Sequence, residues 1–147
     1  MATYKEPVER RLAASNVAED KCEEYLSSIK DLYWTRFGFD ETNNNIPFKY
    51  FKKIDDKIRN TPDYVCISPK KAFFIETKGF VGCLKIKQDD LEGYDFWNNI
   101  MDLYFFAYDC MAKKHYKLSY DDIKRKIKTS EVSNYPDNNK IYYKVKL

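Results

Sequence analysis

Two acidic side chains and one lysine stand out in the stretch TPDYVCISPKKAFFIETKGF, residues 61–80. Asp63 opens a strand-like segment, and Glu76 and Lys78 lie near the end of the next one, with 12 residues between Asp63 and Glu76. If the two segments form a hairpin, Asp63 lies beside Glu76. Lys78, two residues further along the same strand, then projects from the same face of the sheet as Glu76. The spacing therefore predicts two carboxylates and one ammonium group in a single cluster.

This cluster has the composition of a site for a hard divalent cation. Neighbouring carboxylates raise each other's pKa, and a nearby cation relieves the repulsion. Mg²⁺ and Mn²⁺ prefer carboxylate oxygens, backbone carbonyls and water, so Asp63, Glu76 and the Thr77 carbonyl are the expected ligands. A metal held there polarises a phosphate and lowers the pKa of a bound water. Lys78 is then placed to orient or deprotonate that water and to stabilise the charge that develops on the phosphate.

The same three side chains also have a purely structural interpretation. In that interpretation Asp63 is a turn residue, and Glu76 and Lys78 form an exposed cross-strand pair. It leaves unexplained why the apolar run AFFI ends in a charged couple followed directly by Gly79.

The motifs Pro62-Asp63 and Glu76-Thr77-Lys78 resemble the signature of the PD-(D/E)xK nuclease superfamily. The resemblance covers residues 16–109 or thereabouts. It implies a restriction-endonuclease-like αβββαβ core, in which a mixed central sheet is flanked by helices, and phosphodiester hydrolysis with Mg²⁺ or Mn²⁺. The size of the chain is similar to that of stand-alone members such as Holliday junction resolvases and phage-type endonucleases.

The resemblance also implies site residues outside the two motifs. Members often add a metal-binding Glu from the first helix, for which Glu19 is preferred and Glu23 is the alternative. Members also carry a Gln or Lys on the helix after the Glu-x-Lys motif, a position that Gln88 fits, with Lys85 and Lys87 as phosphate contacts. A solvated helix face is the competing interpretation of these last three residues.

Periodicity and capping signals predict the elements that must position these residues. Asn16 and Glu19 match a capping box at the start of an apolar stripe, which also gives Glu19 a structural explanation. The predicted elements are a helix over 16–38, strands over 47–54, 62–68 and 72–78, a helix over 85–99, a strand over 102–109, a helix over 120–128, and a C-terminal edge strand over 140–147.

Three other residues are considered for the site and set aside. Tyr94 and Trp97 have a helical spacing that is more typical of core residues than of residues that stack on bases. The single histidine, His115, is far from the two motifs in sequence.

Length and composition predict one globular domain over residues 1–147. The chain is 44% hydrophobic and 17% aromatic, which favours a packed interior over disorder. No stretch approaches the roughly 20 apolar residues of a membrane helix, and the N-terminus lacks the apolar segment of a secretory signal, so a cytoplasmic protein is expected. The four cysteines have no paired spacing and are expected to be buried, reduced thiols. The Lys-, Asn-, Ile- and Tyr-rich composition is typical of an AT-rich genome, for example a viral one, in which case the host cytoplasm is expected.

The charge distribution favours a polyanionic partner. Residues 49–87 carry ten basic and four acidic side chains, whereas the rest of the chain has no positive excess. The sequence therefore predicts a metal-dependent endonuclease that cleaves duplex or branched DNA, with a homodimer as one assembly that would let two sites address two strands. Two alternatives stay open: a catalytically silent nucleic-acid-binding module of the same fold, and an RNase that uses the same site.

Overall fold

The computed structural model describes residues 7–39 and 45–147. Among these residues, no helix is both long and apolar enough to cross a bilayer. The elements in chain order are α1 (Pro7–Ser28), β1 (Tyr33–Arg36), the 3₁₀ helix η1 (Phe48–Lys53), α2 (Asp56–Arg59), β2 (Tyr64–Ile67), β3 (Ala72–Phe80), β4 (Leu84–Lys87), the 3₁₀ helix η2 (Gln88–Asp90), α3 (Leu91–Ile100), β5 (Leu103–Asp109), β6 (Lys114–Ser119), α4 (Tyr120–Ile127), β7 (Glu131–Asn134) and β8 (Ile141–Val145).

Five strands form a mixed sheet in the order β1-β2-β3-β5-β6. β3 and β5 are parallel, and the other neighbouring pairs are antiparallel. A parallel pair needs a crossover connection, which here passes through β4, η2 and α3. The three remaining strands form a separate antiparallel sheet in the order β4-β8-β7.

Helices cover both faces of the five-stranded sheet. Because side chains alternate along β3, Phe73 and Ile75 face one way and Phe74 and Phe80 face the other. The first pair packs against α1, and the second pair packs against α3, α4 and the smaller sheet. The predicted mixed central sheet flanked by helices is therefore confirmed. Residues that form the α1 side include Ala18, Cys22, Leu26, Cys66 and Phe106, and those on the other side include Tyr94, Phe105, Tyr120, Ile123 and Val145.

The first helix differs at both ends from the predicted span of 16–38. It covers Pro7–Ser28, so Asn16, predicted as the N-cap, is an exposed residue of the helix interior. Asp31 has a φ of 61°, the left-handed conformation that often follows a helix end. The chain then enters β1, and Gly38, predicted to end the helix, lies beyond that strand.

The segment 47–54, predicted as a strand, is the 3₁₀ helix η1. The sequence FKYFKK repeats with a period of three as well as it alternates, and residues three apart share one side of a 3₁₀ helix. Phe51 is buried, and its ring centroid lies 5.7 Å from that of Phe39. The first strand of the sheet is β1 instead, which the predicted long helix had absorbed.

The strands that carry the two motifs, β2 and β3, lie where the sequence predicts them, as does β5. The Ser68 amide donates to the Lys71 carbonyl at 2.9 Å, which closes the predicted hairpin between β2 and β3. Ser119 caps α4 by accepting a hydrogen bond from the Asp122 amide, also as predicted.

The second half of the chain contains three differences. The predicted helix over 85–99 begins only at Leu91, because Leu84 and Ile86 alternate into the core as part of β4. Strands β6 and β7 were not predicted. The C-terminal strand β8 is the central strand of the smaller sheet, so its prediction as an edge strand is wrong.

All four cysteines are free thiols. Cys22 and Cys66 are buried as predicted, whereas Cys83 and Cys110 are half-buried. Burial raises the pKa of Cys66 to about 11 and also raises that of Cys22. Both thiols therefore stay protonated at neutral pH, as expected of structural cysteines.

Helix α1 lies directly on the C-terminal half of β3 at Gly79. A Cβ atom at this position would lie 2.0 Å from the Ala14 carbonyl oxygen and 2.4 Å from the Ala14 carbonyl carbon. Only glycine lets the helix backbone come this close to the strand that carries Glu76 and Lys78. The contact between Gly79 and Ala14 therefore sets the distance between α1 and strand β3.

We expect Gly79→Ala to lower the free energy of unfolding by about 1–3 kcal/mol, because a backbone atom cannot move aside as a flexible side chain can. Urea denaturation measures the change. Val81→Ala, at a neighbouring exposed position, is the control and should stay within about 0.5 kcal/mol of the wild type. Equal stability of the two variants would contradict the close approach of α1 to β3.

Candidate functional site

Strand register places Asp63 beside Glu76. The last pair of the β2–β3 ladder joins Tyr64 to Ile75, and one further step along both strands brings Asp63 opposite Glu76. β2 begins only at Tyr64, whereas β3 continues to Phe80, so Thr77 has no ladder partner on this side. The predicted proximity of the two acidic residues follows from this geometry.

The Asp63 carboxylate replaces the missing ladder partner of Thr77. Its Oδ2 atom accepts one hydrogen bond from the Thr77 amide and a second from the Thr77 hydroxyl, both at 2.8 Å. Two donors from one residue hold the carboxylate in a single orientation. Asp63 is therefore a fixed group on the sheet and not a mobile turn residue.

Glu76 is one of two buried polar residues among those that the structure describes, with 8% of its surface exposed. Burial raises the pKa of its carboxyl group well above the ordinary value, and the negative charge of Asp63 and a side-chain hydrogen bond with Asp63 act in the same direction. Lys78 opposes the shift but does not cancel it. Without a bound cation, the protonated form of Glu76 is therefore favoured.

Lys78 lies on the same face of β3 as Glu76, and its ammonium group rests against Tyr94. Its Nζ atom is 5.6 Å from the centroid of the Tyr94 ring. Burial alone lowers the pKa of Lys78, but Tyr94 and the nearby acidic groups Glu76 and Asp90 outweigh burial and raise the pKa well above its ordinary value. The direction of this shift favours the ammonium form of Lys78.

Asp63 and Glu76 suit a divalent cation as a pair. When two carboxyl groups lie side by side, a hard cation can replace the proton that reduces their repulsion, because both carboxylates can then bind the same ion. The described residues contain no group of three or more His, Cys, Asp or Glu side chains able to hold a metal. Mg²⁺ is often held by only one or two carboxylates, with waters and substrate phosphate completing its octahedron. The Thr77 carbonyl as a further ligand stays a prediction.

Glu19 and Glu23 lie on the α1 face near this pair. Glu23 accepts a hydrogen bond from the Tyr64 hydroxyl at 2.7 Å and forms an ion pair with Arg36. Glu19 Oε2 lies 4.0 Å from Arg36 Nη1. Burial raises the pKa of the Cys22 thiol, and the charges of Asp63, Glu23 and Glu19 act in the same direction. The ligand role of Glu19, and the choice of Glu19 over Glu23, stay predictions.

The residues predicted to contact the substrate lie in the smaller sheet and the turn that follows it. Lys85 Nζ is 5.2 Å from the Tyr142 ring centroid, and Lys87 Nζ is 5.5 Å from that of Tyr135. Gln88 begins η2 and is exposed. None of the contacts described here joins these three residues to Asp63, Glu76 or Lys78. Their role in substrate binding stays a prediction.

Asp90 and Tyr94 belong to the site but were not predicted there. The negative charge of Asp90 acts on Glu76, Lys78 and Tyr94. Tyr94 is 1% exposed and is a core residue, as predicted, yet its ring also lies against Lys78. Their spacing of four on the helix after the Glu-x-Lys motif places them on one helix face, and this was the available signal.

Two other aromatic residues considered in the sequence have structural roles. Trp97 packs against Phe74, and its indole N–H donates to the Lys57 carbonyl at 2.9 Å. The His115 ring stacks on Phe106, with their centroids 5.0 Å apart, and does not approach the acidic pair through any described contact.

Comparison with known proteins adds one solved structure. No family model matches the chain, and no curated protein matches it. The chain is similar to the structure of D212, a nuclease from a fusselovirus, at 12% identity and a TM-score of 0.44, over 99% of this chain and 86% of that one. A TM-score below 0.5 leaves the function to be inferred from the site itself.

We expect Glu76→Gln to stabilise the metal-free protein increasingly, relative to the wild type, as the pH rises above about 4.3, the ordinary pKa of an unfolded glutamate. Glutamate in the unfolded chain ionises at about pH 4.3. Because folded Glu76 keeps its proton to higher pH, the free energy of unfolding of the wild type falls as the pH rises, until the pKa of folded Glu76 is reached. Glutamine has no proton to lose and avoids this fall. The difference amounts to about 1.4 kcal/mol for each unit by which the pKa of Glu76 is raised.

Thermal unfolding in the presence of a chelator measures this effect. Glu92→Gln, an exposed position on α3, controls for the loss of one acidic side chain. A constant difference between Glu76→Gln and wild type across the pH range would show that Glu76 is not held protonated.

Proposed function

We propose that this protein is a metal-dependent nuclease of the PD-(D/E)xK superfamily that hydrolyses phosphodiester bonds in DNA. The observation that supports this most directly is the hydrogen-bonded pair of Asp63 and Glu76 with Lys78 on the same strand. The two motifs of the sequence meet at one point of the sheet, in the order and register that such a site requires. An exposed cross-strand pair, the structural alternative, does not fit a Glu76 that is 8% exposed.

Asp63 and Glu76 would hold a Mg²⁺ or Mn²⁺ ion. When bound, the ion supplies a Lewis acid for the scissile phosphate and lowers the pKa of a coordinated water. Asp63 is oriented for this role by its two hydrogen bonds from Thr77. Glu76 would give up its proton on binding, so metal affinity rises with pH.

Lys78 would act as a cation and not as a base. Its raised pKa keeps the ammonium group protonated, and a protonated amine cannot accept the proton of the attacking water. It can donate hydrogen bonds to that water or to a phosphate oxygen, and its charge stabilises the negative charge that grows there. Of the two roles that the sequence suggested, orientation with charge stabilisation is the one that the electrostatics support.

A polyanionic substrate agrees with the distribution of exposed lysines. Lys49, Lys52 and Lys53 are exposed on η1, in the segment between β1 and Asp63. Phosphate neutralisation by such residues supplies most of the sequence-independent affinity for nucleic acid. A duplex or branched DNA substrate, a homodimer and a cytoplasmic location are parts of the proposal that rest on the sequence alone.

We expect the wild-type protein to cleave DNA in Mg²⁺ or Mn²⁺ and to be inactive in a chelator. Asp63→Asn and Lys78→Ala should each lower the cleavage rate by about 10²–10⁴-fold, because one removes a ligand charge and the other a group that acts in the transition state. The measurement is the rate of plasmid nicking and of cleavage of radiolabelled single-stranded, duplex and branched DNA under single-turnover conditions.

Asp102→Asn is the matched control for the loss of an aspartate, since Asp102 is exposed and pairs with Lys71 just before β5. It should cleave at the wild-type rate. Undiminished cleavage by Asp63→Asn and Lys78→Ala would disprove the site. Salt-dependent DNA binding without cleavage would support the binding-module alternative, and cleavage confined to RNA in the same assay would support the RNase alternative.

A further inference from the structure

The 3₁₀ helix η1, which precedes Asp63 in the chain, presents an exposed tyrosine among lysines. All three lysines of η1 are exposed, and Tyr50 keeps 42% of its surface exposed. We propose that η1 binds an unpaired nucleotide of the DNA, with the Tyr50 ring stacked on the base and Lys49 and Lys53 on the neighbouring phosphates. This inference rests on the proposed function, because it names the form of DNA that the same enzyme would receive.

The lysines of η1 bring positive charge to the tyrosine ring. The Nζ atoms of Lys49 and Lys53 each lie 5.1 Å from the centroid of the Tyr50 ring. Residues 45–54 include three lysines and no acidic residue. Like charges gathered around an exposed aromatic ring suit a ligand that carries both phosphate groups and a flat base.

The two cation–π contacts leave the ring available to a base. An exposed ammonium group gains little from an aromatic ring, because water competes for it. Lys49 and Lys53 have long, flexible side chains, so each ammonium group can turn from the ring to a phosphate when a base occupies the ring face. Every base has a π face, so this contact does not depend on sequence.

A buried aromatic contact anchors η1 to the segment beside the acidic pair. Phe51 is buried, and its ring centroid lies 5.7 Å from that of Phe39. Phe39 follows Gly38, whose amide donates to the Asp63 carbonyl at 3.4 Å. A Cβ atom at Gly38 would lie 3.3 Å from the Asp63 Cα atom. A short chain of contacts therefore joins η1 to the end of β2 at which Asp63 lies.

A stacking tyrosine distinguishes unpaired nucleotides from duplex DNA. In a duplex each base is stacked on its neighbours, so an exposed side chain reaches phosphates but no free base face. A single strand or a branch point offers bases whose faces are free. The lysines of η1 would contact phosphates in either form, whereas Tyr50 would contribute only where a nucleotide is unpaired. Branched or single-stranded DNA is therefore the favoured substrate.

Binding measured in a chelator tests the inference without cleavage. The probes are fluorescein-labelled oligonucleotides in three forms, namely a single strand, a duplex and a single strand with a run of abasic sites. Fluorescence anisotropy gives the Kd of each. We expect Tyr50→Ala to weaken single-strand binding about tenfold, the contribution of one stacked base, and to leave duplex binding unchanged. Tyr50→Phe keeps the ring and should bind single strands as the wild type does.

The abasic strand separates stacking from a structural effect of the substitution. It keeps the phosphates but lacks the bases, so the wild type and Tyr50→Ala should bind it with equal affinity. Tyr33→Ala is the matched control, since Tyr33 is 72% exposed on β1, outside η1. It should bind all three probes as the wild type does.

The double variant Lys49→Ala/Lys53→Ala tests the phosphate contacts. Loss of two contacts should reduce the steepness with which log Kd for the single strand rises with log salt concentration by about 1.4, or about 0.7 for each phosphate. Lys30→Ala/Lys128→Ala is the control, because both lysines are exposed and lie outside η1. It should leave the salt dependence unchanged.

The outcomes distinguish this inference from the nuclease proposal. Equal losses of single-strand and duplex affinity in Tyr50→Ala, or unchanged single-strand affinity, would overturn the inference and leave the nuclease proposal intact. Single-strand binding that depends on Tyr50, in a protein that cleaves none of the substrates, would contradict the nuclease proposal alone. If both proposals hold, Tyr50→Ala should raise KM for single-stranded DNA about tenfold, with a much smaller effect on kcat.

Discussion

The arrangement of this molecule depends on two carboxyl groups that lie side by side where β2 begins next to the longer strand β3. Placing Asp63 next to the buried Glu76 is unfavourable if both are ionised, because like charges in a medium of low polarity repel strongly. The structure reduces this cost in three ways. Glu76 keeps a proton, Thr77 donates two hydrogen bonds to Asp63, and Lys78 contributes a positive charge on the same strand.

The unequal lengths of β2 and β3 create the space for this pair. β2 begins at the residue after Asp63, whereas β3 runs five residues beyond the last ladder pair, to Phe80. The extra stretch is covered by α1 on one face, where Gly79 permits close contact, and by Tyr94 of α3 on the other. Glu76 and Lys78 therefore lie on a stretch of β3 that has no β2 partner and that helices cover on both faces.

The sequence predicted the position of Asp63 beside Glu76 correctly, whereas several elements around them differ from the prediction. The β2–β3 hairpin depends on local signals, namely alternation and a tight turn at 68–71, so Asp63 and Glu76 were placed correctly relative to each other. The first helix was predicted too long because its apolar spacing continues past Ser28, and only the left-handed backbone at Asp31 ends it. The spacing of Asp90 and Tyr94 indicates a shared helix face, but their position beside Lys78 depends on how the crossover through α3 returns to the parallel strand β5.

The proposed metal would change the electrostatic character of the site as well as its coordination. Exchange of the Glu76 proton for a divalent cation raises the net charge of the cluster by one unit. In the protonated state the negative charges of Asp63 and Asp90 lie near Glu76, and such a cluster offers little attraction to a phosphate group. With the cation in place the balance shifts toward positive, and a phosphodiester becomes a favourable neighbour. Substrate binding and metal binding would then favour each other by the rule that coupling between two ligands is reciprocal. Glu76 would be the residue through which that coupling acts, because the proposed cation would bind in place of its proton.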